Sequence, residues 1–302
     1  MDESMISRVR SWVRPNIMSL TLVLFMIPAL AVLVVFQLVP TLWTIWISFT
    51  DMALIGRKFL HYSFVGLRNY EEAFSDAYFW LSMKVTLYYC LASLVLRFSL
   101  GLAAALYITS KTFKGKRIMA AIFLLPYIIP GAIHSYVWLS MLETDYGTLN
   151  RVLRALNLPP QSWMYERLTE SIIAINSWAG YALAMLVLVS ALTSIPREYY
   201  EISDIYGASR WFKFRKITLP LIKYPLILTL ILIFKEDIDD FTYAYMFTGD
   251  TPYPDYKTEI IALYAYHKAF SDFKLGFGCA IGFIIAVIVF VITLIQLKMG
   301  GI

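Results

Sequence analysis

Within an otherwise apolar run, Lys235-Glu236-Asp237-Ile238-Asp239-Asp240 sets one cation among four carboxylates. Carboxylates accept hydrogen bonds from hydroxyl groups and bind cations, but at membrane depth each ionisable group costs about 3 kcal/mol on insertion scales, so such groups face protein or a water-filled space. Helical i,i+4 spacing pairs Lys235 with Asp239 and puts Glu236 and Asp240 on a neighbouring face. One cation cannot neutralise four acids; Arg97, in an earlier apolar run, is a candidate partner, although sequence alone does not place it beside the cluster. Two readings stay open. Asp237 and Asp240, with Tyr243 and Tyr245, line a polar cavity, or the charges form a structural ion network between helices or with a second chain. Asn176, Trp178 and Tyr181 are further cavity candidates, though for Trp178 packing against lipid or core is the simpler role. His134 could relay protons, but a lone histidine in an apolar run is more often hydrogen-bonded in a core.

A second segment, Ser194 to Pro220, has its own logic. Pro196 suits a first helical turn, and Glu198 and Glu201 follow near the positive end of the helix dipole. Gly207 can take the left-handed conformation that stops a helix, and Ala208 to Lys216 can form a second short helix before Pro220 opens the next apolar run. Tyr199, Tyr200, Trp211, Phe212 and Phe214 give these helices aromatic faces suited to another protein's groove. A basic amphipathic segment lying on lipid headgroups is the competing reading.

Other chemistries lack their residues. No G-x-x-x-x-G-K-[S/T] loop is present: Gly115-Lys116 is followed by Arg117 and has no earlier glycine, so this chain is not expected to hydrolyse ATP. Cys90 and Cys279 each sit in an apolar run, which argues for packing rather than a disulfide framework. No His, Cys or carboxylate spacing argues for a metal, and no nucleophile has a recognisable base, so an enzyme using paired carboxylates is disfavoured. The net charge of +5 sits in short segments between apolar runs, where membrane orientation explains it better than nucleic acid does.

The elements that must position these residues are membrane helices. The 302 residues are 59% hydrophobic and 16% charged, too apolar for an ordinary soluble domain. Apolar runs predict six spans: Ile17 to Val39, Leu81 to Thr109, Ile118 to Leu142, Ser171 to Leu192, Tyr224 to Phe247 and Leu275 to Leu297. Arg8, Arg10 and Arg14 precede the first run, which is too long for a cleaved signal and reads as a retained span that ends or bends near Pro40. Pro126 and Pro130 should distort the third span. The N-terminus, the 111–117 and 197–223 connections and Lys298 hold 14 Lys and Arg against 5 acids, whereas the other three loops hold 9 against 12. By the positive-inside rule both termini and the 194–220 segment are cytoplasmic, and the aromatic-rich loops 51–80, 143–170 and 248–274 lie outside. The fold class is thus all-α and polytopic, with a helix-Gly-helix cytoplasmic loop: residues 1–16 form an N-terminal segment, 17–297 the transmembrane domain and 298–302 a tail.

The 194–220 segment resembles the coupling (EAA) loop of binding-protein-dependent ABC importers. Glu201, Gly207, Ala208, Phe214, Ile217, Leu219 and Pro220 stand at the pattern's positions, while Ile202-Ser203 replaces its Ala-Ala and Tyr206 its usual Asp, for which Asp204 could compensate. Phe64 to Tyr70, Leu125 to Pro130, Tyr146 to Asn150 and Tyr264 to Phe270 resemble signatures of maltose-type, MalF-like carbohydrate permeases. The resemblance implies an inner-membrane permease subunit that forms half of a sugar pathway with a second homologous permease. It further implies that an external binding protein delivers substrate, and that a separate ATPase dimer, holding ATP and Mg, drives alternating access through Glu201, Asp204, Tyr206, Gly207, Ala208 and Phe214. On the same resemblance, the carboxylates and tyrosines of the fifth span would contact sugar hydroxyls and ring faces. An ion-coupled secondary transporter using the acidic cluster is the alternative.

Overall fold

The computed structural model describes residues 24–110, 115–249 and 258–300. Residues 1–16 with their three arginines, the start of the first predicted span at Ile17, Lys111, Lys114 and the tail 301–302 lie outside the described residues. Among those described, the chain is helical, and its extended backbone is paired at an isolated antiparallel bridge between Thr50 and Phe64.

Uncharged sequence forms α1, Leu24–Ser48, exposed along most of its length. Of the expectation that it ends or bends near Pro40, the ending is corrected: the helix continues to Ser48. A π turn at Val34–Leu38, in which the Val39 N–H reaches back to the Val34 carbonyl, sits just ahead of the proline. That wider turn accommodates a ring that has no N–H to give and would clash in regular helix. The C-terminal end of α1 is clamped by α2, Arg68–Ser75: the Asn69 amide donates to the carbonyls of Ser48 and Thr50, both at 2.8 Å, and the Tyr70 and Ser48 hydroxyls meet at 2.6 Å. Nearby, Asp51 accepts from the Ser63 N–H and pairs with Lys58, which holds its carboxyl below the usual carboxylate range.

Two long helices make the centre. Asp76 caps α3, Ala77–Thr109, by accepting from the Tyr78 N–H at 2.8 Å. At 33 residues α3 is roughly 50 Å long, more than a bilayer core requires. Against it packs α7, Leu168–Thr193, with Ile172, Ile175, Ala179, Ala182 and Met185 buried at helical spacing. Small side chains along that face let the two backbones approach, which is how helices associate where lipid offers no hydrophobic penalty.

Between them, α4, Lys116–Ile128, and α5, Gly131–Leu142, meet at 91°, so the distortion expected of Pro126 and Pro130 is a sharp corner at Ile129-Pro130. Next in the chain comes α6, Thr148–Ala155; beyond α7 come α8, Glu198–Ile205, and α9, Arg210–Leu221. Pro220 does not open the next span, because its ring is tolerated in the helix that began at Arg210; the chain turns at Ile222, and α10, Lys223–Asp239, follows after a 72° bend. The fifth predicted span is itself interrupted: Asp240 takes an extended backbone, and α11, Thr242–Thr248, starts afresh. Then come α12, Ile261–Tyr266, extended by a π turn, and α13, Leu275–Gly300.

α1, α3, α7 and α13 are each long and apolar enough to cross a bilayer, and counting each bent pair as one span brings the number to six. Their shared core gathers Phe79 and Tyr89 of α3, Ile175 of α7, Phe234 of α10, Tyr264 of α12 and Ile281 of α13.

Candidate functional site

The break at Asp240 opens a cavity of about 470 Å³ whose wall draws on α3, α4, α5, α7 and the α10–α11 junction. Its polar lining includes Arg97, Asn176, Lys235, Glu236, Asp239, Asp240 and Tyr243, and Tyr127 and Pro130 complete the wall. Asp240 shapes this wall directly: with its backbone extended, its Oδ1 accepts from the Thr242 N–H at 2.8 Å and restarts the helix as an N-cap would.

Arg97, 2% exposed, is the hub. Its Nη1 donates to Asp237 Oδ1 at 2.5 Å and its Nη2 to Glu236 and, at 3.2 Å, to the Gly180 carbonyl. Asn176 completes the set, its Nδ2 donating to Asp237 Oδ1 at 2.8 Å and to Ser93 Oγ at 3.4 Å. Three helices, α3, α7 and α10, are thereby tied at one point. Gly180 makes the approach feasible: a Cβ there would lie 2.3 Å from Arg97 Nε. The guanidinium cannot swing aside without releasing both carboxylates, so Gly180→Ala is expected to lower stability by about 1–3 kcal/mol. Thermal denaturation of the purified protein checks this, and an unchanged midpoint would remove the packing argument.

Of the cavity residues expected from sequence, Asn176, Asp240 and Tyr243 line the wall together. Asp237 does not; its carboxylate is fully buried behind Arg97, on the opposite side of the guanidinium from open space. Trp178 is displaced one helical step, its ring against His134 (5.2 Å between centroids) and Trp138 (5.6 Å). Tyr181 packs on Phe123 at 6.4 Å and Tyr245 on Phe241 and Tyr266, so both serve the packing between helices. Lys235 and Asp239 pair at 2.9 Å as their spacing predicts. Glu236, which sequence placed on one face with Asp240, and Tyr127, which it placed only in a signature, both belong to the wall. His134 is buried, with its Nδ1 3.4 Å from the Tyr243 hydroxyl.

At the far end of α10 the second candidate segment forms a hairpin. α8 ends in a Schellman motif: the Ala208 N–H bonds the Ser203 carbonyl and the Gly207 N–H the Asp204 carbonyl, both at 3.0 Å, with Gly207 at φ +69°. Ser209 then caps α9, accepting from the Phe212 N–H. Asp204 pairs with Lys213 across the glycine, locking the two helices' angle, while Phe214 stacks on Trp211 and is half-buried. Glu201 and Tyr206 are exposed, Tyr206 at 85% beside Ile205 at 84%, and Ala208 sits at the turn. Contiguous exposed apolar side chains on a short rigid hairpin are the mark of a protein-docking surface.

Residues 98–298, which contain the hairpin and all of the cavity lining except Arg97, match the family described as binding-protein-dependent transport system inner membrane component. The chain is 34% identical over 281 residues to the trehalose/maltose transport system permease MalF of Thermococcus litoralis, covering 92% of each. It is 27% identical to the arabinooligosaccharide transport system permease AraP of Bacillus subtilis, over 92% of this chain and 88% of that one. A subunit of a bacterial ABC transporter for alginate import superposes with a TM-score of 0.81 at 22% identity, covering 96% of this chain and 98% of that one, a likeness of fold. A transport permease rather than an enzyme, the chain belongs to the inner-membrane components of binding-protein-dependent transport systems.

Proposed function

We propose that this chain forms half of the translocation pathway of an ATP-driven importer for a neutral saccharide. The cavity at the Asp240 break carries the reading. Its volume suits a small ligand, and its wall mixes hydrogen-bond acceptors with the Tyr243 and Tyr127 rings, as sugar hydroxyls and ring faces require. Arg97 and Lys235 stand against Glu236, Asp239 and Asp240 on that wall, with Asp237 behind. The acids are in excess, which favours a neutral solute over an acidic polysaccharide. The trehalose/maltose and arabinooligosaccharide relatives agree in class. The family match disfavours ion-coupled secondary transport.

In this reading the hairpin's Glu201, Asp204, Tyr206, Gly207, Ala208 and Phe214 receive motion from an ATPase dimer that holds ATP and Mg. A second, homologous permease completes the pathway and an external binding protein delivers the sugar; a solved alginate transporter in complex with a pentasaccharide-bound periplasmic protein is a precedent for such delivery. The excess of basic residues in the 111–117 and 197–223 connections supports a cytoplasmic placement of the hairpin and both termini. The transmembrane domain is assigned to residues 17–297, between the segment 1–16 and the tail 298–302.

Asp240→Asn tests the cavity cleanly, because an amide oxygen still caps Thr242 while the charge is gone. Assembly with the partner subunits is expected to be normal and uptake of labelled maltose to fall about fivefold. Normal uptake would remove Asp240 from the pathway, and failed assembly would mark the cluster as purely structural.

A further inference from the structure

A second cavity, of about 570 Å³, lies next to the first along α7, on the side of the 143–170 loop. Ser171, Ala174 and Ile175 of α7 line it, while Asn176, Ala179 and Gly180 line the inner one, so the two are centred about 8 Å apart along a single helix axis. Two indoles, Trp138 of α5 and Trp163 of the loop, form its walls, and Glu166, Arg167 and Glu170 stand exposed at its rim.

The loop is built to hold one of these rings still. Trp163 Nε1 donates to Asn150 Oδ1 at 2.9 Å, and Asn150, fully buried, is itself fixed: its amide donates to the Thr144 and Gln161 carbonyls at 2.9 Å each, and its Oδ1 also accepts from the Gln161 N–H. A membrane-interface tryptophan has no need of such a mount. A rigid aromatic face opposite a second one, with carboxylates and a guanidinium at the rim, presents both acceptors and donors to a ligand bearing many hydroxyls.

Aromatic contacts join the two cavities. Trp138 packs against Trp178, Trp178 against His134, and His134 lies against the Tyr243 hydroxyl on the inner wall. We propose that the Trp138–Trp163 cavity is an outer saccharide site, from which a sugar passes along the Trp138, Trp178 and Tyr243 rings to the cavity at Asp240. The proposal rests on the carbohydrate reading above and adds a second location to it. It also gives Trp178 a role in the pathway despite its absence from the inner wall: aromatic faces in series exchange one sugar ring for the next without requiring full desolvation at each step.

Equilibrium binding of radiolabelled maltotriose to the assembled importer in lipid nanodiscs, without the binding protein, tests it. Two molecules are expected to bind per copy of this chain. Trp163→Leu combined with Glu170→Gln is expected to reduce the number to one, Asp240→Asn to remove the other, and Trp163→Phe, which keeps an aromatic face but loses the five-membered ring with its N–H, to retain both. Size-exclusion chromatography with the partner subunits controls for assembly of each variant. A wild-type stoichiometry of one that only Asp240→Asn abolishes, or two-site binding that survives the Trp163/Glu170 change, overturns the outer site and leaves the carbohydrate reading standing. Absence of maltotriose at both cavities overturns the two together.

Discussion

Arg97→Met is expected to remove most of the assembled protein from the membrane. The guanidinium bonds two carboxylates and the Gly180 carbonyl, and its loss leaves the buried Asp237 carboxyl with a single Asn176 amide as partner. Breaking a buried ion pair from one side costs about 3–5 kcal/mol, a large part of the stability of any domain. Membrane abundance by immunoblot and the denaturation midpoint of what survives are the measurements. A double change, Arg97→Met with Asp237→Leu, is expected to restore abundance, because removing both partners of a buried pair removes the uncompensated charge as well. If the single variant accumulates at the wild-type level, Arg97 is not the hub described. Uptake by the restored double variant is expected to stay low, since the cavity wall then keeps its acids without the balancing cation.

Gly207→Val is expected to cut uptake at least tenfold while leaving membrane abundance unchanged. A Cβ at this position meets no atom within 4 Å, so the effect is not a clash. It is conformational: φ +69° costs an ordinary L-residue about 1–2 kcal/mol, and a β-branched one more. The Schellman motif opens, and the angle between α8 and α9 is no longer set. Gly207→Asn, which tolerates the left-handed region, is expected to transport within about twofold of wild type. ATPase activity stimulated by the loaded binding protein, measured in proteoliposomes, reports the coupling directly. Full stimulation in the valine variant would show that the glycine's conformation is irrelevant to it.

What could be read from sequence was local. The Lys235–Asp239 pair follows from i,i+4 spacing, and the helix stop at Gly207 from the absence of a side chain. The corner at Pro130 follows from missing N–H groups, while at Pro40 the same rule misleads because a π turn upstream absorbs the ring. The partner of Arg97 is not local: Asp237 lies 140 residues away and is brought there by the packing of α3 on α10. Of the two aspartates expected at the cavity, Asp240 lines it, whereas Asp237 is buried against Arg97, a burial that only the packing of three helices decides. Tyr245, expected at the cavity beside Tyr243, packs instead on Phe241 and Tyr266 at the edge of the core. The signature residues carried structural information that resemblance alone did not reveal: Asn69 fastens the end of α1, and Asn150 fixes Trp163.

The tie at Arg97 and the 72° corner at Ile222 bracket the same rod. α10 has 17 residues and is about 25 Å long. In the proposed function it would serve as a lever with its fulcrum at the ion cluster: a tilt of about 10° there sweeps the Ile222 end, which packs with Ala191 and Ile195, through about 4 Å. The gearing also runs in reverse. In that reading a push of that size on the hairpin would turn the Asp240 junction by only about 10°, so a coarse stroke at one end becomes a small rotation at the other.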